Sequence, residues 1–391
     1  MADIRVTYTG LLSFSIAILS VIFGMIFTLV LTRTLSVEEY GTWGLISGLL
    51  FYVSMLAPII TFWATRETAR GIESGKTAVL ASTFLSCGAV GIYILISFFM
   101  SNQTHTDENI LILSIILVPS IFLNGIFTAI NLGWKPHAIS YGTLSFGVSQ
   151  VIFIFIFIFY LDLGIAGAIF ANFLAYIVSN TILFKFAHKK LKNNFNKILI
   201  KKWINLSWLP LYPSLSILID ALGIAIFALI TGSVIGLAFW TVGIIIAGLI
   251  SHSELISRGV YPKLLEGGNR NYLQNNISQL FYFALFMTGF VIVFAKPALF
   301  AMNPIYESAV WVVVILAFNN FFRVINNVSV LNLSGMETMD IDKNTTFKKY
   351  LHSQLFYPYS IKLIQATISI IILTVGLILL INYDVQNHTL L

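Results

Sequence analysis

Charge is scarce in this sequence. Only 10% of the 391 residues are charged and only 16 are acidic, against about 25% charged in soluble domains. Such a chain has too little polar surface to be a water-soluble globule. Cysteine is nearly absent too. Cys87 stands alone inside an apolar run, which excludes an internal disulfide and a cysteine metal centre. The six His are scattered, with no metal-ligand spacing. No Gly-rich loop ends in Lys-Ser/Thr, so ATP hydrolysis is not expected of this chain. No paired carboxylates and no Ser-His-Asp set stand out. These absences argue against an enzyme, and no cofactor or metal is expected. Strands of about ten residues with alternating polarity are also missing, which excludes a transmembrane β-barrel.

What is present is apolar. The chain is 58% hydrophobic, and runs of about 20 apolar residues, each long enough to cross about 30 Å of hydrocarbon, recur throughout. The expected fold is all-α, a polytopic membrane protein with eleven spans near 10–32, 41–63, 77–100, 109–132, 140–161, 163–186, 208–231, 233–256, 277–300, 309–333 and 361–383. The first run is too long for a cleavable signal peptide and has no small-residue cleavage site. Lysine and arginine test the count, because basic loops resist translocation. Nineteen of the 22 fall on the side of the N-terminus, Arg33 and Lys296 fall on the other, and Arg323 lies within a span. The N-terminus is therefore expected in the cytoplasm and the chain in the cell membrane. A net charge of +6 does not point to nucleic acid, because the positive residues sit in the loops between spans.

Lys185, Lys189, Lys190, Lys192, Lys197, Lys201 and Lys202 crowd the middle of the chain with no acidic residue among them. They divide it into an N-terminal lobe of six helices (1–186), a basic cytoplasmic linker (187–204) and a C-terminal lobe of five (205–391). The halves echo one another. Tyr40-Gly41-Thr42-Trp43 opens the second span and Ile235-Gly236-Leu237-Ala238-Phe239-Trp240 the eighth. Thr65-Arg66 follows the former and Ser257-Arg258 the latter. The fourth span ends Asn131-Leu132-Gly133 and the tenth Asn332-Leu333-Ser334-Gly335. Both halves start from the same side, which makes two parallel six-helix repeats, the second with one span fewer. The polar stretch from Ser334 to Ser360 is expected to form a short interfacial helix.

Charges inside spans carry the sharpest signal, since each costs about 2.5–3.5 kcal/mol even on insertion scales. Asp220 lies mid-way along the seventh span. It is a candidate proton or cation site for ion coupling, or else an acid facing water or partnered with a neighbouring helix. Arg323 lies near the middle of the tenth span, and Asn319 and either Asn326 or Asn327 share its helical face by spacing. That stripe suits a wet cavity, where Arg can grip a phosphate in a fork; the alternative is a packing Arg paired with Asp220. Arg33 and Arg66 sit at span ends, where snorkelling to lipid headgroups is the plainer role. Asn124, near Pro119, suggests a kinked, cavity-lining fourth helix. His252 and Glu254 end the eighth span. Gly164, Gly167, Ala168, Ala171 and Ala175 form a small-residue stripe for close helix packing.

The chain resembles the polysaccharide transporters, or Wzx-like flippases, of the multidrug/oligosaccharidyl-lipid/polysaccharide (MOP) exporter superfamily. The likeness lies in Leu31-Thr32-Arg33-Thr34-Leu35-Ser36-Val37-Glu38-Glu39-Tyr40-Gly41, Leu163-Gly164-Ile165-Ala166-Gly167-Ala168, Tyr261-Pro262-Lys263-Leu264-Leu265 and Ile305-Tyr306-Glu307-Ser308-Ala309. The resemblance implies a V-shaped, MATE-like pair of lobes around a cavity that opens to each side in turn. It implies a polyprenyl-phosphate-linked oligosaccharide as substrate, with Arg33 and Arg66 as candidate cavity residues. Family members have twelve or fourteen helices, and eleven are found here. Membrane lipids and glycan-assembly enzymes are the other expected partners. A MATE-like drug or cation antiporter and a non-transporting scaffold for glycan assembly remain open.

Overall fold

The computed structural model describes residues 6–69, 71–257, 270–335, 351 and 356–388. The described residues are helical, with no strand among them. The helices are α1 (Val6–Thr34), α2 (Val37–Ser54), α3 (Pro58–Ala69), α4 (Gly75–Thr104), α5 (Glu108–Leu113), α6 (Leu117–Trp134), α7 (His137–Ile154), α8 (Gly164–Ala187), α9 (Lys197–Asn205), α10 (Trp208–Thr231), α11 (Ile235–Gly248), α12 (Arg270–Met302), α13 (Val310–Gly335) and α14 (Tyr357–His388). Among the described residues, nine helices are long and apolar enough to cross a membrane, or ten if the bent pair α2–α3 is one span. The Leu19–Thr34 stretch of α1 is apolar as well. The eleven expected spans all fall on helical segments: the second on the bent pair, the fourth on α5, a 3₁₀ turn and α6, and the eighth on α11 and the 3₁₀ stretch Leu249–Ser257. The chain is a multi-pass membrane protein. Arg70, the Tyr261–Leu265 element and most of Ser334–Ser360 lie outside the described residues.

Proline sets where spans break. The second span, expected to be continuous, is bent by 58° between α2 and α3. Pro58 opens α3; it has no N–H to continue the ladder and disfavours helical geometry in the residue before it. The fourth span is interrupted by a 3₁₀ turn at Ser114–Ile116, just ahead of Pro119. Its missing N–H and ring clash fall on the turn that contains Ile115. The α7 helix ends in a π-helical turn, Phe155–Tyr160. At the start of α2, Ser36 and Glu39 form a reciprocal cap: Ser36 N–H donates to Glu39 Oε2 at 2.9 Å and Glu39 N–H to Ser36 Oγ at 3.2 Å. Two of the orphan donors of a helix start are satisfied this way. The acidic residue before Tyr40-Gly41 thus has a structural task.

The chain packs as two compact units, residues 1–237 with 370–391, and residues 238–369. This grouping by contact is a different division from the six-plus-five repeat. In the first unit, α7 packs along α8 and α1, and α6 lies against α3, α4 and α8. Ala168, Ala171 and Ala175 are fully buried along α8, so the small-residue stripe is a packing surface. The basic linker folds back onto this unit. Its helix α9 contacts α3 and α4, and Trp203 joins a core with Trp63, Ala64, Ile126, Ile130 and Leu183. The α10 helix packs against α2, α3 and α4. In the second unit, α12 packs on α13 and on the 3₁₀ stretch Leu249–Ser257, with ring contacts Phe281–Phe321 at 5.5 Å and Phe239–Tyr306 at 5.3 Å. Phe84, Leu95 and Trp311 are 83%, 73% and 74% exposed. Large apolar side chains exposed on span after span suit hydrocarbon as the surrounding solvent.

Candidate functional site

Among the described residues of the first unit, the most deeply buried charge is one the sequence reading passed over. Glu67, near the end of α3, is 1% exposed. Its Oε1 accepts from Trp203 Nε1 at 3.2 Å and from Lys202 Nζ at 3.4 Å. The Lys202 side chain is half exposed, so the carboxylate is held mainly by the buried indole. Glu67 Oε2, Trp63 Nε1 and Thr68 Oγ1 are buried without a protein partner among the described residues. Next to Glu67, Arg66 is half-buried and stacks over Phe62, 4.5 Å from the ring centre. That contact suits a residue at the membrane surface. Arg33 is exposed at the C-terminal end of α1, one crossing away in the chain.

Asp220 is exposed on α10. Immediately after it, Tyr52 of α2 reaches into the α10 backbone. Its hydroxyl donates to Ala221 O at 2.5 Å and accepts from Ala225 N–H at 3.2 Å. A side chain inserted between i and i+4 groups is a recognised cause of local helix distortion, and here it sits one residue from an intramembrane acid. Asn124 is committed to helix packing. Its Nδ2 donates to Ser179 Oγ at 3.1 Å and Asn180 Oδ1 at 2.9 Å on α8, and Asn180 Nδ2 donates back to Ser120 O at 3.1 Å. Ser120 and Asn180 border a cavity of about 630 Å³ between α6 and α8. Asn124 itself is not among the residues that line it.

In the second unit, three polar groups from three segments form a chain. Asn327 Nδ2 donates to Glu254 Oε1 at 3.1 Å, and Lys362 Nζ donates to Asn327 Oδ1 at 2.9 Å. An acid and a base are bridged by one amide. Glu254 and Asn327 both stood out in the sequence, but Lys362 of α14 did not. Further along α13, Asn319, Arg323 and Asn326 are all exposed. Their four- and three-residue spacing places them on one helical face, so the structure keeps this stripe off the packed interior of its unit. Among the described residues, no group of three or more His, Cys, Asp or Glu is placed to hold a metal ion.

No family model and no curated protein matches the sequence. The fold does match. The inward-facing conformation of a multidrug resistance MATE family transporter of the MOP superfamily aligns at TM-score 0.55 and 12% identity, over 93% of this chain and 98% of that one. A MATE in complex with MaL6 aligns at 0.55 and 13%, over 95% and 96%. The chain has the MATE-type fold. A third structure, of a MOP superfamily transporter from Pyrococcus furiosus, aligns at TM-score 0.52 and 13% identity over 95% of both chains. That transporter is described as having a binding pocket of reverse polarity, suggesting a different function. At such identities the MATE-type likeness concerns architecture, and the chemistry of the site rests on this chain's own residues.

Proposed function

We propose that this chain is an exporter that carries a polyprenyl-phosphate-linked oligosaccharide across the cell membrane by alternating access. The observation that carries the reading is the exposed stripe Asn319–Arg323–Asn326 within an apolar span. A guanidinium exposed at that depth needs water or an anion. Arg offers a planar fork that fits a phosphate bidentately, and the flanking amides offer donors and acceptors to sugar hydroxyls. A charged head group cannot cross hydrocarbon unaided, and a wet, positive path lowers that barrier. Asp220 is the proposed ion-coupling group, since without an ATP-binding motif net transport draws on a gradient or on consumption of product. The lobes 1–186 and 205–391 are the proposed moving parts, joined through the basic linker. The reading is of a non-enzyme that hands its cargo to glycan-assembly enzymes.

A drug or cation antiporter is the second reading, favoured by the exposed carboxylate of Asp220 in a span. The deciding experiment is flipping of a fluorescent polyprenyl-phosphate-linked oligosaccharide in liposomes. Arg323→Ala is expected to slow it about 10- to 100-fold, from the loss of about 1.5–3 kcal/mol of charge-assisted binding. Flipping at the native rate by a folded variant removes Arg323 from the path. Cation-driven dye efflux without glycan flipping selects the antiporter.

A further inference from the structure

The outer face of α7 and α8 carries a groove of about 490 Å³, walled by Tyr141, Leu144, Ser145 and Val148 of α7 and by Ile182 and Phe186 of α8. Its wall is apolar, and the Ser145 hydroxyl is spent on Gly142 O at 2.8 Å. From Tyr141 to Val148 it follows about 10 Å of helix, or two turns. Groove walls facing lipid are common, but the end of this one is specific. Phe186 stacks on Tyr141 at 5.9 Å with planes 5° apart, and His137 meets Phe186 edge-on at 5.8 Å. Lys135 Nζ stands 5.9 Å from the Phe186 ring centre, so a cation is fixed to the groove's own wall. The same ammonium lies 5.9 Å from the Trp134 ring, and Lys190 Nζ lies over that ring at 4.2 Å.

Two cations and an aromatic cluster thus close the groove at the basic side of the membrane, where Trp and Tyr settle at headgroup level. From residue 109 to residue 219 the only acid is Asp162. It lies in the turn between α7 and α8, at the opposite end of the hairpin from Tyr141. Of the acids on the elements packed beside it, Glu67 of α3 is engaged by Trp203 and Lys202, and exposed Glu73 stands two residues before Gly75, which lies against the Lys190 backbone, so the mouth sets two lysines against that one carboxylate. Basic pockets between spans on this side suit anionic lipid headgroups.

We propose that the α7–α8 groove is a binding site for an anionic phospholipid. One acyl chain lies along Tyr141–Val148, and the phosphate is held by Lys135 and Lys190. The site shares no residue with the Asn319–Arg323–Asn326 stripe and is read without any transport assay. The test is native mass spectrometry of the purified protein titrated with phosphatidylglycerol, with phosphatidylcholine and with soluble glycerol phosphate. Phosphatidylglycerol is expected to bind at least about 10-fold more tightly than phosphatidylcholine. Lys135→Gln and Lys190→Gln are each expected to weaken it about 5-fold, the worth of about 1 kcal/mol per lysine near a membrane surface. Lys135→Arg should restore it. Val148→Trp, which fills the groove and leaves both lysines, should also weaken it. Equal binding of the two phospholipids overturns the proposal, as does full binding by Val148→Trp. Displacement by glycerol phosphate would reduce the site to a phosphate subsite and overturn the chain assignment. A loss in Lys192→Gln equal to that in Lys135→Gln would assign the attraction to diffuse loop charge and overturn it too. Helix content by circular dichroism screens each variant for folding, and the two lysines lie on separate segments, so one misfolded variant leaves the other to decide.

Discussion

Glu67 and Trp203 are separated by 136 residues and joined by one buried hydrogen bond of 3.2 Å. If that bond anchors the basic linker, its strength should depend on the carboxylate charge. Trp203→Phe keeps an aromatic ring in the core but removes the indole donor. A hydrogen bond to a charged group contributes about 1.5–3 kcal/mol and a neutral one about 0.5–1.5 kcal/mol. The cost of Trp203→Phe should therefore fall by about 1–1.5 kcal/mol when it is made in a Glu67→Gln background. The volume lost from Trp to Phe is common to both backgrounds and cancels in the cycle. Lys202→Ala should cost much less, about 0–1 kcal/mol. Its side chain is half exposed, and its 3.4 Å contact with Glu67 is screened by solvent. The measurement is unfolding free energy in mixed micelles, followed by far-ultraviolet circular dichroism, for the single and double variants. A coupling energy indistinguishable from zero refutes the anchoring argument. So does a Lys202→Ala cost above that of Trp203→Phe, which would make the exposed ion pair the stronger link.

Two further outcomes follow from contacts within the first unit. A Cβ at Gly41 would overlap the Val234 carbonyl oxygen, whereas one at Gly24 would meet nothing within 4 Å. Gly41→Ala should cost about 1–3 kcal/mol of stability as an overpacked site, and Gly24→Ala should be neutral or gain up to about 1 kcal/mol from helix propensity, both read in the same unfolding assay. Tyr52→Phe removes the O–H that donates to Ala221 O and should cost about 1 kcal/mol. Hydrogen exchange over 221–225 should change in that variant, while exchange in α4 and α6 should not.

The helices were legible because hydrocarbon thickness imposes a length that sequence displays directly. Spans near 208–231 and 109–132 fall on α10 and on α5–α6 within a few residues. The break at Pro58 was present in the sequence, but an apolar run on both sides hid it; hydropathy is blind to backbone direction. Glu67 was missed for a related reason. In Thr65-Arg66-Glu67-Thr68 it reads as a residue of a polar loop, yet α3 continues through it to Ala69 and buries it. What buries it is Trp203, in a linker whose lysines advertise solvent. Lys362, likewise, is an ordinary residue until packing brings it to Asn327. Local pattern reveals which residues are out of place in hydrocarbon. The partners that make them tolerable lie 35 to 136 residues away.

Gly41 opens the second span and Gly236 the eighth, and neither has room for a Cβ: the first is blocked by the Val234 carbonyl, the second by the Phe227 ring. Each of these two spans also ends in an acid that is tied to a lysine of a later segment. Glu67 meets Lys202 directly and Trp203 beside it, and Glu254 meets Lys362 through Asn327. The sequence offset differs between the pairs, so the likeness lies in the arrangement rather than in aligned letters. A carboxylate at the end of a span is costly unless paired, and a paired one adds little net stability. What such a pair does supply is a fixed position for the segment that carries the lysine. In each unit, therefore, the acid at the end of a span sets where a later segment must sit, which is a constraint on register that apolar packing alone, tolerant of sliding, does not impose.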